Sequence, residues 1–177
     1  NIALICADTY SRYFTKHNKN KFIFSDAATL TFISKRKKKG IGPFLFGSDG
    51  NHFDKIIINN NNKNDLEFHM SGSDVYLFTL NTIPKLIKKY LNIIKNNDNN
   101  FYIFHQASKI ILESLMNKLE IKKNKFIIDL EFGNTTSSSI PIALKRAIES
   151  KKIKKNHRII ICGFGVGLAW GVSSIIL

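Results

Sequence analysis

The sequence predicts an α/β fold, and three observations carry that reading. Phe101-Tyr102-Ile103-Phe104 is a short apolar run of strand character, and Ile110, Ile111, Leu112, Leu115, Met116 and Leu119 follow it at helical spacing. The pattern repeats with an apolar run at 125–130 and a helical stretch at 137–149. The chain then closes on two further apolar runs, 158–163 and 169–177, joined through glycines. Short strands alternating with helices build a sheet covered on both faces.

Taken in order, residues 2–7 open as a strand, and no secretory leader is expected. Residues 8–12 follow as a turn or short helix, and 29–34 form a second strand rich in β-branched residues. Residues 35–40 are a basic connector. Residues 43–47 predict another strand ended by Ser48-Asp49-Gly50-Asn51, and 59–64 a polar loop. A strand at 66–70 leads to Ser71-Gly72-Ser73-Asp74, which caps a helix that Pro84 interrupts and Leu86, Ile87, Tyr90, Leu91 and Ile94 resume. A polar loop at 96–100 precedes the Phe101 strand, and the helix after it is expected over 107–119. Pro141 stands in the first turn of the 137–149 helix. From residue 42 onward the order is β–α–β–α–β–α–β–β, with short extra strands in the first connection. The pair of runs at 2–7 and 28–34 resembles the pair at 159–162 and 170–177, as two similar halves would show.

Composition narrows the function. The net charge of +14, from 27 Lys+Arg against 13 Asp+Glu, favours acidic partners. The excess is lysine: the arginines are Arg12, Arg36, Arg146 and Arg158, with little aromatic interleaving, which argues against a nucleic-acid surface. Abundant Lys, Asn and Ile together read as coding bias. Cys6 and Cys162 each lie in an apolar run, which predicts buried, reduced thiols and a cytoplasmic setting. No His/Cys cluster has metal spacing. Residues 159–177 carry no charge over nearly a membrane span, but glycines 163, 165, 167 and 171 argue for two strands over one helix. Neither membrane nor nucleic acid is expected as a partner.

Three stretches carry the chemistry. His105 comes where its strand stops, at the carboxyl edge of the sheet, where open α/β folds bind ligands. Gly133-Asn134 stands at another strand-to-helix turn. Gly163-x-Gly165-x-Gly167 follows a strand, but a second strand comes next, so a dinucleotide loop does not fit. Glycines there let backbone amides approach a reacting group. A neutral His and an Asn can both donate hydrogen bonds to one carbonyl oxygen, which suits an enolate at a thioester.

His105-Gln106-Ala107, Gly133-Asn134-Thr135 with Ser138 and Pro141, and Phe164-Gly165-x-Gly167-x-x-Trp170-Gly171 occur in that order. Together with Met70-x-Gly72-x-x-Val75-Tyr76 and Phe24-Ser25-Asp26-Ala27-Ala28, this set resembles the β-ketoacyl-acyl-carrier-protein synthase III family of the thiolase superfamily. The resemblance covers nearly the whole chain and concerns the family's later part. It implies a thiolase-like fold, with 42–177 as the C-terminal half and 1–41 as the last two strands of the N-terminal half. It implies His105 and Asn134 as the catalytic donors and Gly165, Val166 and Gly167 as an oxyanion or pocket loop. It implies acyl-CoA and malonyl-acyl carrier protein as substrates, with no cofactor or metal, and a homodimer. An acidic carrier would dock beside the pocket mouth, for which Lys109 and Lys118 are the candidates, Lys109 the better placed. The family's nucleophilic Cys has no counterpart in Cys6 or Cys162, so the chain is expected to be a fragment, inactive alone in condensation. Val166 replaces a usual glycine and Ser108 a usual asparagine. Two other readings stay open: an acyltransferase passing its acyl group to an alcohol or amine, and a non-catalytic dimerisation half.

Overall fold

The computed structural model describes residues 1–35, 40–60, 66–95 and 99–177. Residues 36–39, 61–65 and 96–98, which hold most of the basic connector and of the two polar loops, lie outside the described residues. β1 (Ile2–Asp8) and β2 (Ala27–Ile33) pair antiparallel, Ile5 opposite Leu30. One side of this ribbon rests on the turn at Thr136–Ser138, where the Ser138 hydroxyl donates to the Cys6 carbonyl at 3.1 Å. The other side is open, and Ile5 and Phe32 are 71% and 76% exposed. Cys6 is therefore half-buried, where its apolar run had predicted full burial.

β3 (Leu45–Ser48) is followed by β4 (Ile56–Asn60) and β5 (Leu66–Met70), a separate antiparallel hairpin. Asn59 and Asn60 thus belong to a strand, not to the predicted polar loop, because their backbones pair with Glu67 and Leu66 whatever their side chains prefer. α1 (Gly72–Ile93) runs unbroken through Pro84. The proline interrupts nothing: it removes a bond and costs about 3 kcal/mol, while Ile83, Ile87 and Tyr90 bury completely on either side of it. At the start of α1 the Ser71 hydroxyl donates to Asp74 Oδ2 at 2.7 Å.

β6 (Asn100–Phe104), α2 (Lys109–Lys118), β7 (Phe126–Ile127), α3 (Ser139–Glu149), β8 (Arg158–Gly165) and β9 (Ala169–Ile176) complete the chain. The main sheet has the order β3–β9–β8–β6–β7, with β6 parallel to β7 and β8, and β9 antiparallel to β8 and β3. Side chains on β6 alternate faces. Tyr102 and Phe104 pack with Ile83 and Ile87 of α1 and Leu112 and Leu115 of α2. Phe101 and Ile103 pack with Ala143 and Ala147 of α3. Burial on both faces is why β6 and β8 read as continuous apolar runs. The uncharged stretch 159–177 forms β8 and β9, and among the described residues no helix is long and apolar enough to cross a membrane.

Candidate active site

The carboxyl ends of the parallel strands supply the site. His105 follows β6 and stays in register with β8 through its N–H, which donates to the Cys162 carbonyl at 2.8 Å. α2 starts at Lys109, not at 107, because Ser108 caps it from extended backbone and accepts from the Ile111 N–H at 3.4 Å. That leaves three residues after β6 free to turn across the sheet edge. Gln106 fixes this turn: buried, it donates from Nε2 to the Phe104 carbonyl at 2.5 Å and accepts at Oε1 from the Asp129 N–H at 2.8 Å. It ties the end of β6 to the segment that follows β7.

Asn134 arrives on that segment. Gly133 before it has φ +68, and a Cβ there would lie 2.9 Å from the Ile23 carbonyl oxygen, so only glycine fits. The Asn134 backbone is clamped on both sides: its N–H donates to Ile23 O at 2.9 Å and its carbonyl accepts from Ser25 N at 3.0 Å. Its side chain is buried, and Oδ1 accepts from the Thr136 N–H at 3.0 Å. With Oδ1 engaged, the Nδ2 amide is the end left for a ligand.

His105 is oriented by the same logic. Ser139 Oγ lies 2.8 Å from His105 Nδ1 and 3.3 Å from the Gln106 backbone N. In one arrangement that satisfies these groups, the Gln106 N–H donates to Oγ and the hydroxyl proton is donated to Nδ1. The ring proton then sits on Nε2, making His105 a donor toward a ligand. Burial lowers the His105 pKa to about 4, a backbone interaction with Thr136 offsetting part of the drop, so the ring is neutral at physiological pH. Phe164 packs edge-on against it at 5.5 Å.

His105, Asn134, Ser139, Gly165 and Val166 line one cavity of about 820 Å³. Its other walls include Phe24, Phe44, Phe46 and Trp170, and no Lys, Arg, Asp or Glu lines it among the described residues. Gly167, expected in the same loop, does not line it: with φ +136, it turns β8 into β9, and a Cβ there would meet the Ala169 nitrogen at 2.9 Å. Lys109 and Lys118 stay outside on α2. Lys109 is 74% exposed, 3.9 Å from Glu113, and Lys118 occupies the last turn. Neither thiol lines the cavity; Cys162 is fully buried, which pushes its pKa well up. Two residues missed by the sequence reading are Ser139 and Asp8. Asp8 Oδ2 accepts from Thr136 Oγ1 at 2.5 Å, from Ser137 N at 3.2 Å and from Ser137 Oγ.

Chemically, this is an apolar cavity with two neutral donors fixed at its wall. Such donors stabilise an oxygen that gains negative charge, more strongly than they would in water.

Comparison with known proteins bears on the fold and the family. The family model described as 3-oxoacyl-[acyl-carrier-protein (ACP)] synthase III C terminal matches residues 92–176. The chain is 32% identical to the β-ketoacyl-[acyl-carrier-protein] synthase III of Porphyra umbilicalis over 187 residues, covering 96% of this chain and 57% of that protein. It is also 32% identical to the synthase III of Clostridium tetani over 196 residues, covering 98% and 59%. A crystal structure of a 3-oxoacyl-(acyl-carrier-protein) synthase III superposes with a TM-score of 0.88 at 26% identity, covering 99% of this chain and 60% of that one. The chain thus spans less than two thirds of each of these relatives. Ordered motifs, a thiolase-like fold and relatives matched over nearly all its length agree: the chain resembles the C-terminal portion of the β-ketoacyl-[acyl-carrier-protein] synthase III family.

Proposed function

We propose that this chain carries the His-Asn donor pair of a decarboxylative condensing site for acyl-chain synthesis. The observation that supports it most is that His105 and Asn134 line one apolar cavity with Nδ1 and Oδ1 already engaged. A malonyl thioester places its carbonyl oxygen against both remaining donors. The bond between C2 and the carboxylate breaks, CO₂ leaves, and the electron pair passes into an enolate whose oxygen the two donors hold. The enolate carbon then attacks an acyl thioester, expelling the thiolate that carried it and giving a β-ketoacyl product.

That acyl group needs a nucleophilic thiol at the cavity. Cys6 and Cys162 are both outside it, so the thiol comes from protein beyond the present sequence. The substrates are acyl-CoA and malonyl-acyl carrier protein, the relatives' names supplying the carrier. A homodimer and a reducing, cytoplasmic compartment complete the reading. Decarboxylation needs no thiol, so the chain itself can be tested. Malonyl-CoA labelled in its free carboxylate should release labelled CO₂ and leave acetyl-CoA, the enolate taking a proton from water. No release above the uncatalysed rate would refute the reading.

A further inference from the structure

Asn134 is useful only if its amide presents Nδ2, and the side chain has little of its own to enforce that. Oδ1 is held by the Thr136 N–H. Thr136 itself is held in an unfavourable place. Its φ is +49, a region that β-branched residues rarely adopt. One carboxylate braces it there. Asp8 Oδ2 accepts from the Thr136 hydroxyl at 2.5 Å and from the Ser137 N–H at 3.2 Å, and it also accepts from the Ser137 hydroxyl. Asp8 is the last residue of β1, and it reaches the loop from a different sheet. It does not line the cavity, whereas Thr136 and Ser137 do.

We propose that Asp8 is a positioning residue which, through Thr136, fixes the amide of Asn134 with its donor end toward the substrate. The proposal rests on the condensing reading given above. The physical sequence is short. A carboxylate is acceptor-only, so it gathers the two hydroxyls and the Ser137 N–H on one side of the loop. That leaves the Thr136 N–H aimed back at Asn134 Oδ1. Burial alone would raise the Asp8 pKa; the hydrogen bonds from Ser137 and Thr136 outweigh it and keep the group ionised at neutral pH. Bonds to an ionised acceptor are the strong kind. Without the carboxylate, Thr136 loses the brace on its side chain and the amide is freer to rotate, presenting Oδ1 to an oxygen it should stabilise.

Two measurements on the 177-residue chain test this. Asp8→Asn keeps the volume and removes the charge. In a ¹⁵N-labelled sample, the Asn134 side-chain amide pair should be sharp in the parent and shifted and broadened in Asp8→Asn. The Gln106 amide, held by Phe104 and Asp129, should stay in place as the control for intact packing. In malonyl-CoA decarboxylation, Asp8→Asn should lower kcat about tenfold and leave KM within about twofold. In an Asn134→Ala background the same change should do less than about twofold, since the residue it acts through is gone. An unmoved Asn134 amide, or an equal loss in both backgrounds, would overturn the proposal. If the parent chain releases no CO₂, the condensing reading fails, and the amide spectrum alone still decides whether Asp8 sets Asn134.

Discussion

Ser139 Oγ stands 2.8 Å from His105 Nδ1, from a helix that begins 34 residues further along the chain. With the hydroxyl as donor, this contact leaves the ring proton on Nε2. Ser139→Ala removes it and frees the ring to take either tautomer. The ¹⁵N shifts of His105 should show a single Nε2–H form in the parent and a mixture in the variant. Decarboxylation should slow about tenfold, and stability should fall by about 1–2 kcal/mol because the Gln106 N–H loses a buried acceptor. An unchanged Nε2–H signature in the variant would mean the serine does not set the tautomer.

Stability should depend on the charge of His105. Its folded pKa of about 4 lies below the ordinary value of 6.5. Between those limits the unfolded chain binds a proton that the folded chain refuses, so stability falls as pH drops from about 6.5 to about 4. The loss approaches about 3 kcal/mol at the lower limit. Urea unfolding at pH 7 and pH 4.5 should show this loss in the parent and a smaller one in His105→Gln. Asp8, whose folded pKa is lowered, begins to lose its own contribution only at the acid end of this window, and does so in parent and variant alike. Equal losses in parent and variant would assign the pH dependence elsewhere.

The family pattern was legible because the site residues sit where strands end. Phe101 to Phe104 is buried on both faces, so its apolar run marked the strand and His105 its edge. Other features were hidden by contacts distant in sequence. β7 is two residues long although the apolar run continues to Leu130, because the Gln106 side chain takes over the Asp129 N–H. Asp8 and Thr136 are 128 positions apart, so no local pattern links them. Pro84 read as a break because propensity is local, whereas Ile83 and Ile87 are held by the sheet. Gly167 shares a motif with Gly165, but only the ladder shows that one lines the cavity and the other makes the turn.

Neither cysteine should take an acyl group. Cys162 is fully buried with its thiol pKa pushed well up, and Cys6 is half-buried on the ribbon away from the cavity. Incubation with radiolabelled acetyl-CoA followed by peptide mapping should leave both unmodified. Stoichiometric label on either would place the nucleophile within this chain and overturn that part of the proposal.

Carrier docking should read out through Lys109. It is exposed on the first turn of α2, and Lys118, nine residues on, faces the opposite side of the helix. KM for the carrier-bound malonyl thioester should rise with salt, while KM for a pantetheine mimic should not. Lys109→Glu should raise the first several-fold, on the order of 1 kcal/mol. Equal salt dependence for both substrates would remove electrostatic docking and leave the +14 charge as coding bias.

The central claim is that His105 and Asn134 hold one thioester oxygen between them. The most direct measurement is the rate of CO₂ release from malonyl-CoA by the parent chain, His105→Ala and Asn134→Ala, each at saturating substrate. The parent should release CO₂, and loss of either donor should reduce the rate by about 10²–10³. A variant that decarboxylates as fast as the parent would show that its side chain does not touch the developing enolate.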